Sequence, residues 1–216
     1  MEVQLYTNDF ASPIKVLCEC HIRINTFLAS LVRVSTDRRG GSLYEPDRMD
    51  LQASLRYFHT AVALHSADEE VSLFARLLMD RSPAASEVRG DIRHLECEHR
   101  TLMKAHDEIA LHGRMWLENG TLQTSEWIAM NTALEFVRGT YSRHMAFEEK
   151  VIFPLAKELM SADLLTASGR EMAHRRGIDI DTPGDLPGSE KSRLRDALLA
   201  AQRSSARVNG DGKGVR

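Results

Sequence analysis

Over most of the first 160 residues, apolar positions recur at steps of three and four, the period of a helix seen from one side. Leu17, His21, Ile24, Leu28 and Leu31 form one such face. A second runs through Leu55, Phe58, Val62, His65, Glu69 and Ser72, and a third through Ile92, Leu95, His99, Leu102, His106 and Ile109. The fourth comprises Leu134, Val137, Tyr141, His144, Glu148, Val151 and Leu155. No strand-like alternation persists, so the pattern predicts an all-α protein. Ser12-Pro13, Glu45-Pro46-Asp47 and Ser82-Pro83 read as helix starts, with proline near the first helical position. Thr124-Ser125 reads as the cap of the fourth helix, and Gly40-Gly41 and Asn119-Gly120 as stops. Four long helices with short connections predict an up-down-up-down four-helix bundle over residues 1–176.

After Met160 the pattern changes. Ser161 to His174 reads as a short helix capped by Ser161, with Leu164 and Leu165 available to pack on the bundle and Arg175-Arg176-Gly177 ending it. Residues 177–216 read as a linker, a short helix and a tail. Gly184–Gly188 is turn-rich, the stretch from Ser189 to Arg207 is amphipathic through Leu194, Leu198 and Ala201, and Asn209–Arg216 has a disordered composition.

Polar residues on otherwise apolar faces carry the functional signal. His65 and Glu69, and again His144 and Glu148, stand four residues apart, which stacks imidazole and carboxylate about 6 Å apart on one side of a helix. A single pair of this kind is commonly a surface or capping pair. Here each pair sits on a core-facing stripe, and the other two helices add His21 and His99 to theirs. Counting about 1.5 Å per residue from the expected helix ends, all four sets reach one level of an antiparallel bundle.

Together, His21, His65, Glu69, His99, His144 and Glu148 offer four nitrogens and two carboxylates. Two cations held a few ångströms apart need bridging carboxylates against their repulsion and imidazoles to complete each sphere. A single zinc takes about four ligands and would leave a buried carboxylate and imidazole unpaired. Calcium and magnesium prefer oxygen. Iron is the first choice, with manganese or a mixed pair behind it.

Composition narrows the setting. A net charge of −3 offers no field for nucleic acid. No apolar run approaches the roughly 18 residues of a membrane helix, and Met1–Ser12 lacks the basic start and apolar centre of a signal peptide. Cys18, Cys20 and Cys97 have no CxxC spacing and read as reduced thiols. The expected location is cytoplasmic.

Neighbouring residues take plainer readings. Glu70, Glu98 and Glu149 adjoin ligand candidates but point about 100° away, which assigns them to the solvated face. By helical phase His59 and His94 are exposed; His106, two turns from His99 on the same face, reads as a packing residue with cavity lining as the alternative, and Tyr141, three residues before His144, as a core tyrosine with a phenol beside the metal ligands as the alternative. The cysteines, within three residues of His21 or His99, read as small buried residues, with a redox role as the alternative. His112 and His174 lie near helix ends.

The series His21, His65-x-x-x-Glu69, Glu98-His99 and His144-x-x-x-Glu148-Glu149, followed by Ile152-Phe153-Pro154, resembles the hemerythrin-like (HHE cation-binding) family over roughly residues 13 to 176. The resemblance implies an up-down-up-down bundle around a non-haem di-iron centre. Its cofactor would be two iron ions (Fe2+/Fe3+), carboxylate-bridged, with an oxo/hydroxo or water ligand. Two departures stand out. Leu95 occupies the place where the oxygen-carrying members have a further histidine, and Glu148 and Glu149 replace a single aspartate five residues after the fourth-helix histidine. Ligand spacing is closer to that of bacterial iron-cluster-repair proteins, but their extra histidine has no counterpart between His21 and His59, and their cysteine-bearing N-terminal domain is not expected here. The resulting expectation is a di-iron protein that binds or senses dioxygen, nitric oxide or reactive oxygen species, as a monomer or homodimer. The alternatives are a peroxidase or nitric-oxide-scavenging oxidoreductase, an iron donor or store for iron–sulfur cluster repair, and a metal-free interaction bundle.

Overall fold

All regular structure among the described residues, 10–178 of a computed structural model, is helical. Of these, residues 10–177 belong to one unit, and the description that follows concerns it. The stretch expected to lack a signal peptide lies mostly outside the described residues, and the linker at Gly184–Gly188, the helix from Ser189 and the tail from Asn209 lie wholly outside them.

The long helices are α1 (Pro13–Arg38), α2 (Glu45–Ala67), α5 (Arg89–Asn119) and α6 (Thr124–Phe147). Two π-helical turns, π1 (Asp68–Phe74) and π2 (Glu148–Ile152), continue α2 and α6 into the short helices α3 (Ala75–Met79) and α7 (Phe153–Leu159). A further short helix, α4 (Pro83–Glu87), precedes α5, and α8 (Ala162–Arg175) follows the bundle. Each long helix packs on two others in a closed ring, α1 on α2, α2 on α5, α5 on α6 and α6 on α1. Ile24, Leu28, Leu31, Val62, Leu102, Ile109, Leu134 and Val137 meet in the core, as the apolar stripes require.

Loops at one end tie the ring together. Arg39 takes a left-handed conformation after α1, and Gly40 follows at φ +79°, where a side chain would be strained. The Gly40 carbonyl accepts a hydrogen bond from the Leu122 amide at 2.8 Å, and a Cβ on Gly40 would stand only 3.2 Å from the Leu122 carbonyl oxygen. The buried Trp116 indole donates to the Gly41 carbonyl at 2.9 Å. These bonds fix the end of α1 against the ends of α5 and the loop before α6.

Several local readings need correction. Ser12 stands at the N-cap of α1 but makes no side-chain capping bond. The fourth helix is capped one residue earlier than expected, by Gln123 in a reciprocal capping box with Glu126. Ser82-Pro83 starts the short α4; Val88, at φ −92° and ψ 1°, breaks the chain before α5 begins at Arg89. From the end of π2 onward the buried stripe runs through Ile152, Phe153 and Ala156, while Val151 and Leu155 are only half-buried. A π turn holds more residues than an α turn, so the face slips by one position. On α8, Leu164 and Leu165 are half-buried and the packing residues are Ala167, Ser168, Gly169, Met172 and Ala173. Among the described residues no helix is long and apolar enough to cross a membrane.

Candidate metal centre

The structure brings His21, His65, Glu69, His99, His144 and Glu148 to one level of the bundle interior, each no more than 4% exposed. His21 comes from α1, His65 from α2, His99 from α5 and His144 from α6. Glu69 and Glu148 come from π1 and π2. Each widened turn therefore begins where an acidic side chain enters the core, one turn after a histidine.

Each glutamate directs its two oxygens to different histidines. Glu69 Oε1 lies 3.3 Å from His65 Nε2 and 3.6 Å from His21 Nε2, whereas Oε2 lies 3.3 Å from His99 Nε2. Glu148 Oε1 lies 3.2 Å from His144 Nε2, and Oε2 lies 3.3 Å from His21 Nε2. Ligand atoms of Glu69, His99, His144 and Glu148 fall within 4.8 Å of one another, and so do those of His21, His65 and Glu69. His99 Nε2 and His144 Nε2 are 2.9 Å apart. All four oxygens of Glu69 and Glu148, and His21 Nε2, are buried without a hydrogen-bond partner. Buried carboxylate oxygens left in that state are expensive unless a cation takes them up.

The assignment of Glu70, Glu98 and Glu149 to a merely solvated face does not hold. His21 Nδ1 donates to Glu149 at 2.8 Å, His99 Nδ1 to Glu70 at 2.8 Å, and His144 Nδ1 to Glu98 at 2.9 Å. A 100° turn away from the core points into the seam with the next helix, where the back of its histidine waits. Each carboxylate fixes its ring with Nδ1 protonated and leaves Nε2 as the inward donor atom. His65 differs, because its Nδ1 is buried with no hydrogen-bond partner. Phe153 stacks on His21 and Phe74 on His99, with ring centres 5.5 Å and 6.3 Å apart, and these rings wall the histidines from water.

Protons answer the two carboxylates in the metal-free protein. Burial opposes charge on His21, but Glu148 and Glu69 outweigh it and raise the pKa to about 11. The same balance, with Glu69 and Glu70, brings His99 to about 10. At His65 burial wins and the pKa falls to about 4. Burial pushes the Glu69 carboxyl up, yet His65, His21 and His99 together hold it well below the usual carboxylate range. The cavity thus demands positive charge and already offers neutral imidazole at His65.

Other residues sort as follows. His106 Nε2 and the Tyr141 hydroxyl are 2.9 Å apart in the core, and the His106 ring stacks on Phe58 at 4.6 Å. His59 and His94 are exposed, as helical phase implies, though His94 also approaches Glu98 at 3.5 Å. His112 is half-buried, 3.7 Å from Glu108, and His174 is exposed. Cys20 is buried, with Arg23 donating to its sulfur at 3.0 Å. Cys97 is exposed and Cys18 half-buried, against the expectation that all three are buried. Glu98 and Glu149 stand within the motif series but Glu70 does not, and each of the three directly precedes or follows a ligand candidate, which is the signal the sequence offers.

A family model described as the hemerythrin HHE cation-binding domain matches residues 12–156. An uncharacterized protein of Haemophilus influenzae is 28% identical over 166 residues, which cover 77% of this chain and 91% of the relative.

Proposed function

The chain belongs to the hemerythrin HHE cation-binding domain family, and on that premise we propose that it is a non-haem di-iron protein that binds or senses dioxygen, nitric oxide or reactive oxygen species. His21, His65, Glu69, His99, His144 and Glu148 are the proposed ligands. The observation that carries this reading is the division of the carboxylate oxygens. Glu69 Oε1 and Glu148 Oε2 face the histidines of one half-site, and Glu69 Oε2 and Glu148 Oε1 face those of the other. Each half-site then has two imidazole nitrogens and two carboxylate oxygens, a mixed donor set suited to iron. Four protein ligands per metal leave room for a small exogenous ligand.

When bound, an iron pair supplies redox-active sites for a small diatomic ligand or peroxide. The chain's own residues do the rest. Glu70, Glu98 and Glu149 orient three of the four imidazoles, the glutamates at π1 and π2 neutralise positive charge, and Phe74 and Phe153 exclude water. Leu95, buried one turn before His99, provides no further imidazole. That leaves the site more open than an oxygen carrier's and favours reactive or transient ligation over storage of one oxygen molecule.

The test is metal analysis after anaerobic loading with ferrous iron. About two iron ions per chain are expected from the paired donor sets, and a content below about 0.2 per chain would overturn the reading. Optical spectra recorded with oxygen, peroxide and nitric oxide then separate stable ligation from turnover. Stable, reversible oxygenation through many cycles without oxidation would argue for a carrier instead.

A further inference from the structure

Helix α8 lies beyond the segment matched to the family, yet it is bonded to the turn that presents Glu69. Asp68, the residue before Glu69, is fully buried, and its two oxygens are taken by Arg175 at 2.7 Å and Arg176 at 2.6 Å. Arg175 also donates to the Ser72 hydroxyl. The Ser72 carbonyl accepts from the Ser168 hydroxyl at 3.1 Å and from Arg76 at 2.7 Å, and Arg76 in turn forms a two-pronged pair with Glu171. The first residue of π1 and Ser72 within it are thus held from α8 and from Arg176 directly after it.

α8 is also held from a second side, by the segment before α1. A Cβ on Gly169 would fall 1.7 Å from the Phe10 carbonyl oxygen, so only glycine allows that approach. The Phe10 ring lies under the Arg176 guanidinium at 5.6 Å. At π2 the corresponding tie runs to α1, where Glu149 accepts from His21 Nδ1 at 2.8 Å. A π turn is a rare interruption of an α-helix, found mostly as a single turn, and here α8 bonds directly to the residues that form it.

We propose that α8 is a clamp that fixes π1, and through it the Glu69 carboxylate, at the position where both metals need it. Asp68, Ser72, Ser168, Arg175 and Arg176 are positioning residues in this arrangement. With the clamp loosened, π1 relaxes, Glu69 loses its fixed direction, and metal leaves the centre faster. This inference rests on the metal-centre reading for its consequence, but the coupling of α8 to π1 is measurable without metal.

The test compares the full chain with Arg175→Gln/Arg176→Gln, which leaves the buried Asp68 charge unanswered, and with Gly169→Val. Backbone amide exchange is read in the metal-free proteins over residues 65–76, with residues 144–152 as the internal control. Loss of a paired buried charge predicts exchange at least about 10-fold faster over 65–76, with little change over 144–152. With cobalt(II) as the probe, dissociation to a chelator should speed up about 10- to 100-fold and the ligand-field spectrum should change. Arg175→Lys/Arg176→Lys should recover part of both. If the glutamine pair or the valine fails to fold, Ser168→Ala, which removes one hydrogen bond to the Ser72 carbonyl, should still raise exchange over 65–76 about threefold. Unchanged exchange over 65–76, or an equal rise over 144–152, overturns the clamp. Failure of the unaltered protein to take up cobalt(II) or iron overturns the metal reading instead, and the exchange measurement still decides the clamp.

Discussion

Glu149 accepts a hydrogen bond from His21 Nδ1 at 2.8 Å, joining the turn after α6 to the face of α1 that enters the metal centre. The two residues are 128 positions apart in sequence. The bond holds the His21 ring with Nε2 toward Glu69 and Glu148. Glu149 itself is about half exposed, so the charge it contributes is screened, and its value lies in orientation.

Replacing Glu149 with Ala should therefore weaken metal binding without unfolding the bundle. Loss of the carboxylate behind a metal-bound histidine lowers affinity by 10- to 100-fold in general, and the exposed position places this case near about 10-fold. Competition with a chromogenic chelator gives the affinity, and circular dichroism checks the fold. An unchanged affinity would mean that packing against Phe153 alone orients His21.

The slip of the buried face at π2 makes a second prediction. Ile152 is fully buried and Val151 only half-buried, the reverse of what an uninterrupted α-helix would give. Ile152→Ala should destabilise the metal-free protein by about 2–4 kcal/mol, and Val151→Ala by less than about 1 kcal/mol. Urea denaturation of both variants decides it. A larger loss from Val151→Ala would place the chain back on a regular α phase.

These two cases mark where the sequence was readable. His21, His65, Glu69, His99, His144 and Glu148 could be picked out because three- and four-residue periodicity puts them on apolar stripes, and that period survives up to the ligands. Val151 and Leu155 were misplaced because a π turn has no reliable local code; it forms through tertiary contacts that periodicity does not encode. Glu70, Glu98 and Glu149 were assigned to solvent because helical phase describes one helix at a time, whereas their partners lie on the next helix. On α8 hydrophobicity points to Leu164 and Leu165, whereas the closest approach is made by Gly169, which hydrophobicity does not mark.

Asp47, near the start of α2, gives a pH-dependent prediction. Its side chain is buried between Arg33 at 2.9 Å and Arg38 at 2.5 Å, and the Arg33 hydrogen bond, with Arg38 behind it, outweighs burial and lowers the carboxyl pKa. A folded-state pKa below the unfolded value of about 3.9 means that the stabilisation is complete above that value and fades as pH falls through the folded pKa. Asp47→Asn should cost about 1 kcal/mol at pH 7, a modest figure because Arg33 is partly exposed. The gap between the two proteins should persist down to about pH 4 and close below it. Urea midpoints measured from pH 3 to 7 test this, and a gap that widened on acidification would contradict it.

The unequal support of the four histidines predicts the order in which the two half-sites fill. His99 and His144 are each held at Nδ1 by a carboxylate, Glu70 and Glu98. Of the opposite pair, His21 is held by Glu149, but His65 Nδ1 has no hydrogen-bond partner. A histidine fixed from behind loses less freedom on binding metal and is the more basic ligand. The first equivalent of cobalt(II) should therefore occupy the His99/His144 side, and the second the His21/His65 side about 10-fold more weakly. In a stepwise anaerobic titration, His65→Ala should keep the first spectral phase and lose the second, whereas His144→Ala should lose the tighter phase. If both variants lose the same phase, the half-sites fill together and the missing partner at His65 has no bearing on affinity.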